Sequence, residues 1–151
     1  VYVTRDGGST WESAQPEGLP DWALCSLIEA SPHDQATAYL AATRYKLDDF
    51  QPYLYNTSDY GKTWTKITNG IPNDDFTRVI REDTKRKGML YAGTETGIYV
   101  SWDDGESWHK LGGNFPIVPI HDLIVKGDEL VVGTHGRSFW IFDDLELLRQ
   151  L

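Results

Sequence analysis

The chain has 151 residues, of which 40% are hydrophobic and 25% charged, so it suits a globular fold and is not a disordered tail. Its 14 Lys and Arg against 23 Asp and Glu give a formal net charge of −9, which argues against a nucleic-acid partner because phosphate binding requires a basic surface. No apolar run reaches the roughly 18 residues of a membrane span, and the single cysteine excludes an internal disulfide.

One eight-residue motif occurs three times and sets the organisation of the chain. It has Ser or Thr first, Asp third, Gly fifth, Ser or Thr seventh and Trp last, and it occupies residues 4–11, 57–64 and 101–108. Asp6, Asp59 and Asp103 are therefore 53 and then 44 residues apart. A repeat of this length is typical of proteins built from stacked supersecondary units.

Short β-rich runs follow one another in a constant order between the motifs. The chain opens on a strand at residues 1–4, and a second strand is expected from Trp11. Two units of four strands follow, with runs at 24–28, 38–43 and 53–55 before Trp64, and at 76–80, 90–94 and 98–100 before Trp108. The last unit has runs at 120–125, 130–134 and 139–142, and residues 143–151 then form either a short helix or an edge strand.

This pattern predicts an all-β fold, a β-propeller with four-stranded antiparallel blades. Residues 1–20 supply the third and fourth strands of one blade, residues 21–71 and 73–115 form a blade each, and residues 117–151 form a terminal blade. Closed propellers have four to eight blades. The chain has about three and a half and begins with Val1, so we expect a C-terminal piece of a longer, seven-bladed propeller. The alternative is a ring closed by two copies that supply fourteen strands each. Either way the arc alone exposes two strand edges.

The motif residues suit the tight turn that joins a third strand to a fourth. We expect the Asp to accept hydrogen bonds from backbone N–H groups two or three residues on, the Gly to adopt positive φ, and the Trp to pack on the neighbouring blade. Calcium binding is the alternative, but the alternating oxygen ligands and closing Glu of a calcium loop are missing. We therefore interpret as structural the residues Asp6, Gly8, Trp11, Asp59, Gly61, Trp64, Asp103, Gly105 and Trp108.

These three octapeptides resemble the Asp boxes of the BNR/Asp-box repeat, which occurs in sialidase-like propellers, in sortilin-like propellers and in bacterial propellers similar to xyloglucanases. The resemblance covers essentially the whole chain, and residues 133–144 look like the final blade of the bacterial sortilin-like group. In that blade the box has decayed, because Leu145 and Leu148 stand where Gly105 and Trp108 stand in the third copy. The resemblance implies that the boxes lie on the face away from the sialidase active site.

Ligand contacts are expected on the opposite face, where the loops between second and third strands meet the connections between blades. The candidate segments are residues 44–53, 73–76, 95–96, 115–122 and 135–137. The longest, 44–53, mixes aromatic rings with carboxylates, which suits stacking on sugar rings or contact with a protein; the alternative is a solvated hairpin. The predicted binding residues are Arg44, Tyr45, Phe50, Tyr53, His121, His135 and Arg137.

Glycoside hydrolysis is the alternative function. It requires two carboxyl groups about 5 to 9.5 Å apart, and the candidates are Asp48, Asp49, Glu95 and Asp122, with Asp74 and Asp75 also on this face. Nothing in the sequence selects a pair. A sialidase would also need three arginines, for which Arg44, Arg78, Arg81 and Arg137 are available, but the arginine motif near the N-terminus of that family is absent.

Nucleophilic catalysis and zinc binding have less support in the sequence. His121 and His135 lack the Ser or Cys context of a nucleophile and do not have zinc-site spacing. Cys25 is expected to be a small buried hydrophobic residue on a first strand.

The sequence favours a non-catalytic propeller that binds protein or glycan, or a structural subunit of a larger assembly. Its expected partners are the remaining blades of its own propeller or a second copy, together with a protein or carbohydrate ligand. No cofactor and no metal site are predicted, and we expect a secreted, periplasmic or cell-surface location.

Overall fold

The computed structural model describes residues 1–151, which form four antiparallel sheets whose strands pair in chain order. Blade 1 has strands β1 (Tyr2–Val3) and β2 (Glu12–Ser13). Blade 2 has β3 (Leu24–Ala30), β4 (Ala38–Arg44), β5 (Asp49–Thr57) and β6 (Thr65–Lys66). Blade 3 has β7 (Thr77–Glu82), β8 (Leu90–Thr94), β9 (Ile98–Ser101) and β10 (His109–Lys110). Blade 4 has β11 (Ile120–Lys126), β12 (Glu129–Thr134) and β13 (Phe139–Phe142), and helix α1 (Leu145–Arg149) follows it. The fold is an arc of a β-propeller, as the motif spacing predicted.

The hydrophobic core lies between the blades. Along β8, Leu90 and Ala92 pack against blade 2, while Tyr91 between them packs against blade 4. This alternation follows from the two-residue period of a strand, and it lets the thin blade 3 bury both of its faces. A fully buried side chain of the size of Leu90 contributes roughly 1.5–3 kcal/mol, so each blade depends on its neighbours for stability.

The first strands of blades 2, 3 and 4 lie side by side, as they do around the axis of a propeller. The guanidinium of Arg81 on β7 forms ion pairs with Glu29 on β3, at 2.6 Å, and with Asp122 on β11, at 3.1 Å. Its Nε also donates to the carbonyl of Leu123 at 2.9 Å. One side chain thus links three blades.

The prediction for Cys25 is wrong, because its side chain is exposed. Leu24 and Ser26 on either side of it are exposed as well. The first three residues of β3 are therefore exposed and are not buried in an interface between blades.

The three octapeptide turns share one hydrogen-bond pattern. In the second copy one oxygen of Asp59 accepts from the backbone N–H of Thr63 at 2.9 Å, and the other accepts from the Thr63 hydroxyl at 2.7 Å. Asp6 and Asp103 make the same bonds to Thr10 and Ser107. The backbone donor is four residues beyond the Asp, not two or three as expected, because the loop is wide enough to include the positive-φ Gly. Hydrogen bonds from these hydroxyl and N–H groups lower the pKa of Asp6 and of Asp59 to about 2.

The Trp that ends each octapeptide packs on the preceding blade in two of the three copies. Trp64 Nε1 donates to the carbonyl of Ala14, and Trp108 Nε1 donates to the carbonyl of Ile67, both at 2.9 Å. The predicted packing role is wrong for Trp11, which is 61% exposed and donates to Gly8 of its own turn. The reason is that no blade precedes blade 1 in the described residues. Each fourth strand also begins one residue after the Trp, not at it.

The C-terminal unit has three strands and a helix in place of a fourth strand. Leu145 is fully buried, and Arg149 forms an ion pair with the buried Asp83 of the loop between β7 and β8 at 3.0 Å. Trp102 Nε1 donates to the carbonyl of Leu148 at 2.7 Å. The tail is therefore the helix of the two predicted alternatives, and it fastens blade 4 to blade 3. It also leaves the chain without the fourteenth strand on which the two-copy ring depended. Helix α1 has five residues, too few for a membrane span.

Candidate functional site

The face opposite the octapeptide turns is formed by the loops between second and third strands and by the connections between blades, and we call it the loop face. The first strand of each of blades 2, 3 and 4 has a β-bulge near its start. The pairing of the first strand with the second is irregular at Ser26 in blade 2, at Arg78 in blade 3 and at His121 in blade 4. A β-bulge re-aims the side chain that it carries. The bulge falls at the same position in blades 3 and 4, directly after the pair made by the last Thr of the second strand, and one pair later in blade 2. The three bulges carry three different side chains.

In blade 2 the bulge residue has a structural role. The hydroxyl of Ser26 lies 3.1 Å from the carbonyl of Ala41 in its own blade and 2.6 Å from the carbonyl of Arg78 in the next. This residue ties blade 2 to blade 3 beneath the loop face, so the side chain is not free for a ligand.

In blade 3 the bulge residue is the centre of an aromatic and ionic cluster, which we call the Arg78 cluster: Tyr45, Phe76, Arg78, Glu95, His121 and His135. The guanidinium of Arg78 lies 5.2 Å from the ring centre of Tyr45 and 4.9 Å from that of Phe76. The two rings stack on each other at 4.9 Å and 14°. Arg78 also donates through Nε and Nη2 to one oxygen of Glu95, at 3.2 and 2.7 Å.

In blade 4 the equivalent pair consists of two histidines. Glu95 and His135 occupy matching places, because the N–H of Glu95 donates to the carbonyl of Phe76 and that of His135 donates to the carbonyl of Pro119. Where blade 3 pairs Arg78 with Glu95, blade 4 packs His121 against His135, with ring centres 4.9 Å apart and ring planes tilted by 33°. Two positions of one repeat thus carry an ion pair in one blade and an imidazole pair in the next.

The electrostatics of the cluster keep His121 neutral near pH 7. Partial burial is the main cause of its lowered pKa, the positive charges of Arg78 and His135 lower it further, and Glu95 opposes the shift. The ion pair between Arg78 and Glu95 is partly exposed, so water screens it and it contributes about 1 kcal/mol or less to stability. The cluster therefore combines a held guanidinium, a neutral imidazole and stacked rings without being a major source of stability.

The long loop of blade 2 places Tyr45 over Phe76. Tyr45 begins a short 3-10 turn, Tyr45–Leu47, and Asp48 after it takes the left-handed conformation with φ 56°. Asp49 closes the loop by accepting from Arg44 at 2.9 Å and from the Tyr53 hydroxyl at 2.7 Å. Partial burial alone would raise the pKa of Asp49, but the hydrogen bonds from Tyr53, Gln51 and Arg44 outweigh it and hold the pKa below its usual value.

The candidate carboxylates are mostly engaged by the fold. Asp49 closes its loop, Glu95 accepts from Arg78, and Asp122 accepts from Arg81. Asp75 is buried and accepts from Thr96 and from the Tyr99 hydroxyl. Asp48 and Asp74 are exposed at the loop face. The structure thus gives the four engaged carboxylates a structural partner each.

The predicted binding residues divide into three groups. Tyr45, His121 and His135 meet in the Arg78 cluster, and the ring of Phe50, which is exposed, lies 6.1 Å from that of Phe76. Arg44 is held by Asp49, and Arg137 stands in the exposed turn after β12. Tyr53 does not lie at the surface as expected for a binding residue. Only 5% of it is exposed, because its ring packs between blades 1 and 2.

Sequence reasoning missed Phe76 as a ring partner and named Arg78 only as a possible sialidase arginine. A signal was present, since Arg78 and His121 occupy the same place in the aligned first strands. Trp22, which lies in the connection into blade 2 and is 89% exposed, was also missed.

No protein-family model matches the sequence, and no curated protein matches it either. Solved structures do match. The structure of YCF48 bound to a D1 peptide is 21% identical with a TM-score of 0.68, over 94% of this chain and 44% of that one. The GH74 xyloglucanase from Xanthomonas campestris is 19% identical with a TM-score of 0.71, over 96% and 24%. YCF48 from Cyanidioschyzon merolae is 16% identical with a TM-score of 0.64, over 95% and 46%.

At these identities the likeness concerns the fold alone, and it agrees with the propeller described above. The chain spans less than half the length of each of these proteins. The closer resemblance to BNR/Asp-box and sortilin-like propellers remains a prediction.

Proposed function

We propose that the chain is a non-catalytic binding module that recognises a peptide segment of a protein through the Arg78 cluster. One observation carries this proposal: the guanidinium of Arg78 lies over two stacked rings that come from two blades. Arg and Tyr are the residue types that dominate the energetics of protein interfaces. They also lie at bulge and loop positions where the repeat itself does not require them.

The chemistry favours a peptide over a sugar. Glycoside hydrolysis needs two carboxyl groups free to act on one bond, and four of the six candidate carboxylates accept hydrogen bonds from protein groups. The Arg78 guanidinium and the Tyr45 ring are both partly exposed, while the Phe76 ring is buried. Arg78 and Tyr45 therefore offer a cation and an apolar surface to a main chain and its side chains. A structure of the same fold that holds a peptide, that of YCF48, supports the peptide class.

The test is selection from a library of random 12-residue peptides displayed on phage, followed by affinity measurement with the selected peptides. Arg78→Gln removes the charge and is expected to weaken binding at least tenfold. Lys62→Gln removes one positive charge from an exposed residue of the second octapeptide turn and is the matched control. Equal affinities for the two variants would contradict the proposal. Turnover of β-glucan or sialoside substrates that disappears in Glu95→Gln would show that the glycosidase alternative is right.

We further propose that additional blades, from the same propeller or from a second chain, cover the end of the arc at blade 4. Phe139 and Ile141 on β13 are 80% and 56% exposed. Their counterparts in blade 3, Ile98 and Val100, pair with β8 in the same register and are 1% exposed because blade 4 covers them. Light scattering tests this: a monomer with a single cooperative thermal transition would contradict it, and self-association that Ile141→Glu abolishes would support it.

A further inference from the structure

A second feature of the loop face lies in blade 2, beside the Arg78 cluster. It is a small pocket of about 60 Å³, lined by Trp22, Leu24, Thr43, Arg44, Tyr45, Lys46 and Leu47. Tyr45 belongs to both the pocket and the Arg78 cluster, so a ligand that lies across the stacked rings also reaches the pocket. Ligand pockets for whole small molecules measure roughly 300–1,000 Å³. This one fits a single side-chain end or chain end.

The pocket contains a buried hydroxyl without a partner. Thr43 is 3% exposed, and its Oγ1 has no hydrogen bond. The threonines that end the second strands of the other blades do have one: Thr94 donates to the carbonyl of Gly97, and Thr134 donates to that of Ser138. In blade 2 the longer loop carries the chain away from this position. Buried polar groups in native proteins are almost always satisfied, so an unpaired one beside a pocket points to a missing partner.

A second unpaired donor stands next to the first. The Nε of Arg44 is buried without an acceptor, although Nη1 of the same guanidinium is held by Asp49. Lys46 lines the pocket as well, and its ammonium lies 6.0 Å from the ring centre of Tyr45. The residues in the wall of the pocket supply a hydroxyl and an N–H, both covered in the chain without ligand, and a cation. An acceptor with negative charge satisfies all three.

Trp22 gives the pocket an exposed aromatic wall. Its side chain is 89% exposed and its backbone has φ 63°, in the left-handed region that a bulky residue rarely adopts. Strained residues and exposed large rings both concentrate at binding sites. The ring therefore stands where it can close over an incoming group.

We propose that this pocket, defined by Trp22, Thr43, Arg44 and Lys46, takes a carboxylate of the peptide that the loop face binds. The inference rests on the proposed peptide-binding function and names the chemistry that the peptide must present. The carboxylate oxygens accept from the Thr43 hydroxyl and from Arg44 Nε, Lys46 supplies the countercharge, and Trp22 covers the methylene that carries the group. An acidic side chain and a chain terminus share this chemistry.

Three small probes test the pocket by NMR titration of the whole chain: N-acetylglutamate N-methylamide, its glutamine isostere, and N-acetylglycine. The resonances observed are the Thr43 methyl group and the Trp22 indole N–H. The glutamate probe or N-acetylglycine is expected to shift both resonances in a saturable way, and the glutamine probe is expected to shift neither. A response to the glutamate probe alone indicates a side-chain carboxylate, and a response to N-acetylglycine alone indicates a chain end. Equal responses to glutamate and glutamine, or none to any probe at 50 mM, would overturn the proposal.

Thr43→Val keeps the shape and removes the hydroxyl, so it is expected to weaken binding of the carboxylate probe at least fivefold while the rest of the spectrum stays unchanged. Thr134→Val removes the matching hydroxyl in blade 4, where it already has a partner, and is the control with unchanged probe affinity. An unchanged affinity in Thr43→Val would count against the pocket. If Arg78→Gln still abolishes binding of a selected peptide in that case, the binding function of the loop face stands and only the carboxylate pocket fails.

Discussion

The two faces of the arc use the same repeat in opposite ways. On the octapeptide face the same side chains recur three times, and the hydrogen bonds of Asp6, Asp59 and Asp103 close within each eight-residue turn. On the loop face the bulges of the first strands carry Ser26, Arg78 and His121. Ser26 and Arg78 each contact a neighbouring blade, and His121 lies against His135 of its own blade. Residues that the repeat copies maintain the fold, and two of the residues that it varies, Arg78 and His121, belong to the candidate binding site.

The largest effect is expected on the octapeptide face, from Trp108→Ala. Trp108 is 3% exposed and donates to the carbonyl of Ile67, so its loss leaves a cavity between blades and costs about 3–5 kcal/mol. Trp11→Ala changes the same motif position where no blade covers the ring, and should cost about 1 kcal/mol or less. Urea unfolding followed by far-UV circular dichroism measures both. Equal losses would mean that the motif acts only within its own turn.

Gly105→Ala and Gly8→Ala sharpen the same contrast at the glycine of the motif. Both glycines have positive φ, 87° and 95°, so both substitutions carry a backbone cost of about 1–2 kcal/mol. A Cβ at Gly105 would lie 2.7 Å from Ile67 Cδ1 of the preceding blade, whereas a Cβ at Gly8 meets nothing nearer than 3.9 Å. We expect Gly105→Ala to lose about 1–3 kcal/mol more in urea unfolding. A difference near zero would show that blade packing does not constrain this position.

Acid is expected to weaken the octapeptide turns, because protonation of their Asp residues removes the charge that accepts the hydrogen bonds. The pKa of Asp59 is about 2 in the folded chain and about 3.9 in an unfolded one, so its contribution is complete above pH 4 and is lost as the pH falls through 2. Asp59→Asn should therefore reduce the dependence of unfolding free energy on pH between 4 and 2. Asp74→Asn, at an exposed loop-face residue without a hydrogen-bond donor, is the control. The same slope in both variants would contradict the assignment.

Only a small stability effect is expected from Arg78→Gln, similar to that of Trp11→Ala. The residue takes part in a partly exposed ion pair and in two cation–π contacts, whose loss costs about 1 kcal/mol. A thermal shift assay should find this variant close to the unsubstituted chain and far from Trp108→Ala. A loss of several kcal/mol would assign Arg78 to the structural framework.

Much of the fold was predictable because the motif is local. Its Asp, Gly and hydroxyl residues close a turn wherever they occur, and the spacing of the copies gives the blades. Two features depended on neighbours and were not predictable: the exposure of Cys25 and of Trp11 reflects which blades stand beside them.

The candidate site was predictable only in part. The rule that loops between second and third strands share a face placed Tyr45, His121 and His135 together correctly. The central residue, Arg78, lies inside a strand at a bulge, and a bulge has no signature in a single strand's sequence. Tyr53 is close to Phe50 in sequence but points into the core because strand residues alternate in direction.

The most direct test of the division between the faces is backbone hydrogen exchange of the whole chain with and without a library-selected peptide. New protection is expected at residues 44–48, 76–78, 95–97 and 135–138, with no change at the octapeptide turns 57–64 and 101–108. Protection confined to the octapeptide turns would contradict this division.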